Sequence, residues 1–316
     1  MRHYIYVALV FAAALAFLGC PNPSNSDSDD TTTGDDSNQQ NEDLAPKGSV
    51  ELAHQEWSRS TAITVVTGEI LEELGWDVTV SSMSNEATWQ AVANGSADAM
   101  LAAWLPNTHS DFYGDSTAEY TGDVEDLGAN YEGAHLGLVV PSYVDETTVA
   151  ELSANAADYD STITGIDPGA GMMDTTQSMI EEDTYSLGDW TLTEGSGESM
   201  LSALGTAIAN DEPIVVTGWR PHPKFIEYDL RLLEDPQGVY GTEEDIHTIV
   251  RTGLEDEQPQ LYEFLTGMEW SAIEEEVVGA VMLRVRDGDG AESAADAVVA
   301  AQTDLINSAL PAGLEL

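Results

Sequence analysis

Residues 49–80, SVELAHQEWSRSTAITVVTGEILEELGWDVTV, decide the fold. The first nine, 49–57, read as a strand. Over 60–74, Ile63, Val66, Ile70, Leu71 and Leu74 recur at helical spacing, with Ser60 placed to cap the start and Gly75 to stop the end. Residues 76–80 return to a strand. Working outward, 86–94 predicts a helix closed by Gly95, 97–104 a strand, and 133–141 a strand after a longer connection. A second series follows the same order. Residues 162–167 and 190–193 are strand-like, about 173–182 and 198–209 helical, and 213–218 strand-like again. Two successive strand–helix series predict an α/β protein with largely parallel sheets and two lobes. The stretch from about 256 to 309 is helical by period and offers no obvious site. No short-period repeat is present.

In open parallel sheets, ligands bind beyond the carboxyl ends of the strands. Four strand ends therefore matter most. They deliver Trp57 (HQEW before SRST), Trp104 (MLAAW before LP), the turn Gly169–Met172 (within TGIDPGAGMM) and Trp219 (VVTGW before RP). Three of the four present a tryptophan where the chain leaves the sheet. Tryptophan also outnumbers phenylalanine in this chain, 7 to 5. A single tryptophan is ordinarily a packing residue. Trp76, Trp190 and Trp270 are read that way, and Trp89, in the first turn of its helix, as packing beside the site.

Trp57, Trp104 and Trp219 differ because the topology sends them to one crevice. Three indole faces around a gap suit a quaternary ammonium group, each contributing ~0.5–2 kcal/mol of cation–π attraction. The turn at 169–172 points backbone N–H groups into the same crevice at a helix start, a site for a carboxylate. His109, in WLPNTH, can donate a further hydrogen bond. A cage plus a carboxylate clamp describes a small zwitterion such as glycine betaine.

Composition excludes several other classes. There are 9 Lys+Arg against 58 Asp+Glu, a formal charge of −49, which removes nucleic-acid binding. The two lysines, Lys47 and Lys224, lie in no G-x-x-x-x-G-K-S/T pattern, so the chain is not itself a P-loop ATPase. One cysteine, Cys20, leaves no disulfide framework and no Cys-based zinc site. The acids are spread through every segment. Self-repulsion at that density destabilises a compact state at low ionic strength, and molar salt, with a Debye length of ~3 Å, removes most of it. That pattern predicts an exported protein of a halophile.

Residues 4–18, YIYVALVFAAALAFL, are shorter than the ~20 residues a membrane span needs. Preceded by Arg2 and followed by Gly19-Cys20, they read as a signal peptide, 1–19. Cys20 sits where a bacterial lipobox places its acylated cysteine. Residues 20–48, rich in Ser, Asp, Asn, Thr and Gln, read as a disordered acidic tether. The expected location is therefore the outer face of a membrane, periplasmic or extracellular, with a lipid anchor and no span.

GSADAMLAAWLPNTH (95–109), TGIDPGAGMM (164–173), VVTGWRPHPKF (215–225) and YGTEEDIHTIVRTGLEDEQP (240–259) together resemble the substrate-binding proteins of glycine betaine/proline betaine ABC transporters, over about 49–310. The resemblance implies a type II periplasmic-binding-protein fold. It implies two hinged lobes, 49–138 plus 247–316 and 139–246, with the ligand trapped between them. It carries the cage to Trp57, Trp104 and Trp219, and the carboxylate contacts to His109 and the amides of Gly171 and Met172. His222, three residues after the third cage tryptophan, receives no contact. The implied partners are a separate permease and ATPase; the protein itself is expected to be a monomer without cofactor.

Two rivals come from other classes. A hydrolase would need a nucleophile or metal motif, and neither G-x-S-x-G nor H-E-x-x-H occurs. A metal-binding lipoprotein would use His109, His222 and His247, whose spacings match no common ligand pattern. The run Asp287-Gly288-Asp289-Gly290 lacks the full calcium loop and reads as a solvated turn. Within the binding class, choline, carnitine and proline betaine remain alternatives to glycine betaine.

Overall fold

A computed structural model describes residues 47–316. The expected signal peptide, Cys20 and nearly all of the tether lie outside the described residues. The first series folds as β1 (Ser49–Gln55), α1 (Ser58–Glu73), β2 (Asp77–Met83), α2 (Asn85–Ala93) and β3 (Ala99–Leu105). A long strand, β4 (Val124–Pro141), leads into the second series. That series is β5 (Thr162–Thr164), α3 (Gly171–Glu181), β6 (Thr191–Thr193), α4 (Gly197–Ala209) and β7 (Val216–Arg220). Then come the short α5 (Lys224–Glu227), β8 (Leu230–Leu232) and β9 (Glu244–Arg251). The C-terminal region is helical, as expected: α6 (Leu254–Glu257), α7 (Pro259–Gly267), α8 (Trp270–Ile273), a π-helical turn (Glu274–Gly279), α9 (Ala280–Arg286), α10 (Ala291–Ala301) and α11 (Thr303–Ala309).

The strands join in the order β2-β1-β3-β9-β4-β7-β5-β6, with β8 also paired to β4. The trios β2-β1-β3 and β6-β5-β7 are parallel and have the same order, so the two series are topological copies. The expectation of largely parallel sheets needs correction. β9 pairs antiparallel with both β3 and β4, and β4 pairs antiparallel with β7 and β8. The chain leaves the first series along β4 and returns along β9, and such direct passages need no helical crossover. β4 begins at Val124, well before the expected 133, because register shifts against β9 absorb its irregular stretch between Asp126 and Ala134.

Helix α1 starts earlier than Ser60. Trp57 occupies its N-cap with extended backbone angles (φ −106°, ψ 139°), and Ser60 lies in the first turn. The Ser60 hydroxyl is not a cap; it donates to Gln55 Oε1 at 2.8 Å. The earlier start turns Arg59 inward, where Glu274 takes its Nε and Nη2 at 2.9 and 2.8 Å and Asn130 Oδ1 takes Nη1 at 3.0 Å. The predicted apolar stripe of α1 is buried: Ile63, Val66, Ile70 and Leu71 pack with Phe264, Val277, Val281 and Val299 of the C-terminal helices. Fully burying each such side chain contributes ~1.5–3 kcal/mol. A second core gathers Leu138, Leu152, Ile163, Met179, Met200, Leu204 and Val216. Trp76 and Trp270 fall in the first core and Trp190 in the second, consistent with packing roles.

Candidate functional site

Strand and helix ends place the site. β1 runs into Trp57 at the start of α1, β3 carries Trp104, α3 begins at Gly171, and β7 carries Trp219. The six residues Trp57, Trp104, His109, Gly171, Met172 and Trp219 all line one largely apolar cavity. Arg59, Thr108, Leu136, Ile166 and Ile246 complete much of its wall.

Both loops that follow the buried tryptophans turn on a cis proline, Leu105–Pro106 after Trp104 and Arg220–Pro221 after Trp219. In the first, residues 104–109 fold back so that the amide of Trp104 donates to His109 Nδ1 at 3.0 Å. With Nδ1 accepting, the neutral ring carries its proton on Nε2. Burial holds the imidazole neutral and lowers its pKa to about 3. The ring is packed between Trp57, stacked at 5.9 Å, and Trp89, edge-on at 5.7 Å. Its Nε2 is buried and has no hydrogen-bond partner among the described residues. An unpaired buried donor costs ~1–3 kcal/mol, so its retention on a cavity wall is informative. Trp89 itself is fully buried in the second turn of α2, not the first, within an aromatic group with Phe112 and Tyr120.

The loop is pinned from below by a residue the sequence did not single out. Glu244, 3% exposed at the start of β9, accepts the amides of Asn107 and Thr108 at 3.1 and 3.0 Å, and the Thr108 hydroxyl. Thr108 in turn lies against the first residue of α3. A Cβ on Gly171 would stand 2.6 Å from the Thr108 carbonyl oxygen and 2.8 Å from its Cγ2, so only glycine allows this approach. The amides of Gly171 and Met172 open α3 and have no intrahelical acceptor, leaving positive partial charge at the cavity wall.

Trp57 is oriented by another unpredicted residue. Its Nε1 donates to Asp167 Oδ2 at 3.0 Å, tying the end of β1 to the loop after β5. A hydrogen-bond chain runs parallel to it: Ser60 to Gln55, Gln55 Nε2 to Asn85 Oδ1 at 3.0 Å, and Asn85 Nδ2 to the Gly169 carbonyl at 3.2 Å. Arg59 lines the cavity, but its guanidinium is committed to Glu274 and Asn130 and offers little to an anion. Charge alone could not have placed Arg59, since its partners lie 71 and 215 residues away.

The three histidines proposed for a metal are not gathered. His109 bonds the Trp104 amide, His222 Nδ1 accepts the Lys224 amide at 3.0 Å, and His247 pairs with Asp126 at 2.8 Å. Among the described residues, no group of three or more His, Cys, Asp or Glu side chains is placed to hold a metal ion. His222 does not line the cavity; its ring stands edge-on to Trp219 at 4.7 Å. Among the described residues, no helix is long and apolar enough to cross a membrane.

Comparisons with known proteins identify the family. Residues 48–301 match the family model described as the substrate binding domain of ABC-type glycine betaine transport systems. A glycine betaine/carnitine transport binding protein of Listeria monocytogenes is 44% identical over 160 residues, a match spanning 47% of this chain and 52% of that protein. The chain therefore aligns with only about half of that relative's length. Lactococcal OpuAC, crystallised closed and liganded with glycine betaine, superposes with a TM-score of 0.74 at 38% identity, covering 84% of this chain and all of that one. An ABC-transporter choline binding protein in complex with choline gives 0.71 at 27% identity, covering 81% of this chain and 90% of that one. The fold is α/β of the periplasmic-binding-protein kind, and the chain belongs to the family of substrate-binding domains of ABC-type glycine betaine transport systems.

Proposed function

We propose that this protein is the extracytoplasmic receptor of an ABC importer and captures glycine betaine. Trp57, Trp104 and Trp219 form a cage for the trimethylammonium group. His109 Nε2–H and the amides of Gly171 and Met172 take the carboxylate. The supporting observation is that all six residues line one cavity while the His109 Nε2 proton lacks a partner. A methylated ammonium donates no strong hydrogen bond, so indole faces solvate it at ~0.5–2 kcal/mol each. Charge-assisted hydrogen bonds to the carboxylate contribute ~1.5–3 kcal/mol each.

The lobes are 49–138 plus 247–316 and 139–246. Trp57, Trp104 and His109 belong to one, Gly171, Met172 and Trp219 to the other. Ligand touches both lobes only when they meet, and that differential contact drives closure. The closed form presents the surface that a separate permease, served by a separate ATPase, accepts. Acylation at Cys20 holds the protein at the membrane, and the dispersed acids keep it folded in a saline exterior.

Calorimetry with glycine betaine, proline betaine, carnitine, choline and proline at high salt tests the assignment. Glycine betaine should bind tightest, choline more weakly because it leaves the anion donors unpaired, and proline least. Trp57→Ala, Trp104→Ala and Trp219→Ala should each weaken binding by about 2–30-fold, the weight of one lost indole face; wild-type affinity in any two would sink the cage. Recovered ligand should be chemically unchanged after prolonged incubation.

A further inference from the structure

Behind Trp219 lies a buried amine that the cage itself does not use. Lys224, at the start of α5, is 1% exposed, and its Nζ has no hydrogen-bond partner among the described residues. The amine sits 4.2 Å from the centroid of the Trp219 ring and 5.4 Å from that of Phe225. Trp219 lines the cavity and Lys224 does not. The lysine stem passes over the backbone of β7, where a Cβ on Gly218 would lie 3.3 Å from Lys224 Cε.

We propose that Lys224 tunes how strongly Trp219 holds a cation, its ammonium and the bound ligand competing for opposite faces of one indole. This rests on the cavity being a quaternary-ammonium site. The physical basis is that an indole offers the same electron-rich π system from both sides. An ammonium on the far face draws on it and also repels a second cation through a medium of low dielectric. A neutral amine does neither. Protonated Lys224 therefore weakens the ligand and neutral Lys224 releases the full attraction of the ring.

The surroundings favour the neutral form. Burial, reinforced by the Arg220 guanidinium, holds the lysine well below its usual range. The titratable groups facing it are Arg220 on β7, lying 3.8 Å over Phe225, and His222 in the link to α5. The His222 ring is itself held neutral, chiefly by burial, and its Nδ1 is occupied by the Lys224 amide. β4 contributes Val139, packed against Gly218. Among the described residues no carboxylate pairs with the amine to offset a charge there.

Linkage makes this testable, because coupling between proton and ligand is reciprocal. A ligand that disfavours protonated Lys224 must expel its proton on binding. Titrations of the intact protein with tetramethylammonium and glycine betaine from pH 5.5 to 9.5, at high salt, should show affinity rising with pH by on the order of tenfold, the scale of one cation–π contact. Calorimetry in two buffers of different ionisation enthalpy should show proton release over the steep part of that rise. Lys224→Met, which keeps the stem out to the ε position and removes the amine, should bind at least as tightly as the wild type at high pH and lose the pH dependence. The same pH dependence in Lys224→Met, or no proton release by the wild type anywhere in the range, overturns the proposal. The proton count on wild type decides the matter even where the variant does not fold. Failure of the wild type to bind either cation at any pH overturns the cage reading and this proposal with it.

Discussion

At His109 the two ring nitrogens have different fates, one fixed by the chain and one left over. Nδ1 accepts the Trp104 amide, and Nε2–H remains buried without partner among the described residues. His109→Ala should weaken glycine betaine about 10–100-fold, in line with one charge-assisted hydrogen bond. It should leave tetramethylammonium, which has no carboxylate, within about twofold; equal losses for both ligands in calorimetry would remove the anion role. The same burial affects stability. His54, His109 and His222 are all held below 6.5 in the fold, His109 at about 3. The unfolded chain therefore binds more protons than the folded one as pH drops below 6.5, and stability must fall with it. The contribution is complete above about pH 6.5 and is lost progressively toward the folded-state values. Urea unfolding at constant high salt should show the midpoint declining from pH 7 to pH 5, and a flat profile would contradict neutral burial of these rings.

The element on which the proposed carboxylate clamp rests is the start of α3, set against the loop at 104–109. Gly171→Ala puts a methyl against the Thr108 carbonyl, where 2.6 Å leaves no room. The predicted result is a loss of glycine betaine affinity on the order of tenfold with the urea midpoint little changed, because parting of the two proposed lobes would relieve the clash. Equilibrium titration beside a denaturation curve checks both halves. Glu244 acts on the loop from the other side. Glu244→Ala orphans the amides of Asn107 and Thr108 and the Thr108 hydroxyl, and should cost on the order of 2–4 kcal/mol of unfolding free energy besides weakening binding. Glu244→Gln, which keeps an acceptor, should lie between that variant and wild type.

For the molecule as a whole, the cross-links over the crevice and the surface charge act at different ranges. The Trp57–Asp167 and Asn85–Gly169 hydrogen bonds join the end of β1 and the start of α2 to the loop after β5. Asp167→Ala should raise the ligand dissociation rate several-fold, on the order of 1 kcal/mol for one hydrogen bond. In stopped-flow experiments the association rate should barely change. The acid excess, 58 carboxylates against nine bases, is a long-range term that salt screens. Thermal melts should shift upward as NaCl or KCl enters the molar range, and greater stability at low salt would count against the saline adaptation.

Much of the fold was legible before any coordinates. The α1 stripe, the glycine stops and the repeated strand–helix order are local patterns, governed by backbone geometry and the need to bury one face. The meeting of Trp57, Trp104, His109, Gly171, Met172 and Trp219 at one cavity was legible too, because parallel strand order sends strand ends to one place and the quoted motifs resembled a family. Arg59, Asp167, Glu244 and Lys224 were not. Each acts through a partner on another element, or through the lack of one, and the sequence carries no local mark of that. The antiparallel passages of β4 and β9 escaped for the same reason, since pairing direction depends on where a long connection lands. What the sequence by itself determined about this protein is the α/β alternation, the charge and the residue types at the strand ends. Only the tertiary structure decided the His109 tautomer, the glycine-only contact at Thr108 and the amine behind Trp219, because desolvation and hydrogen-bond pairing depend on every neighbour in space.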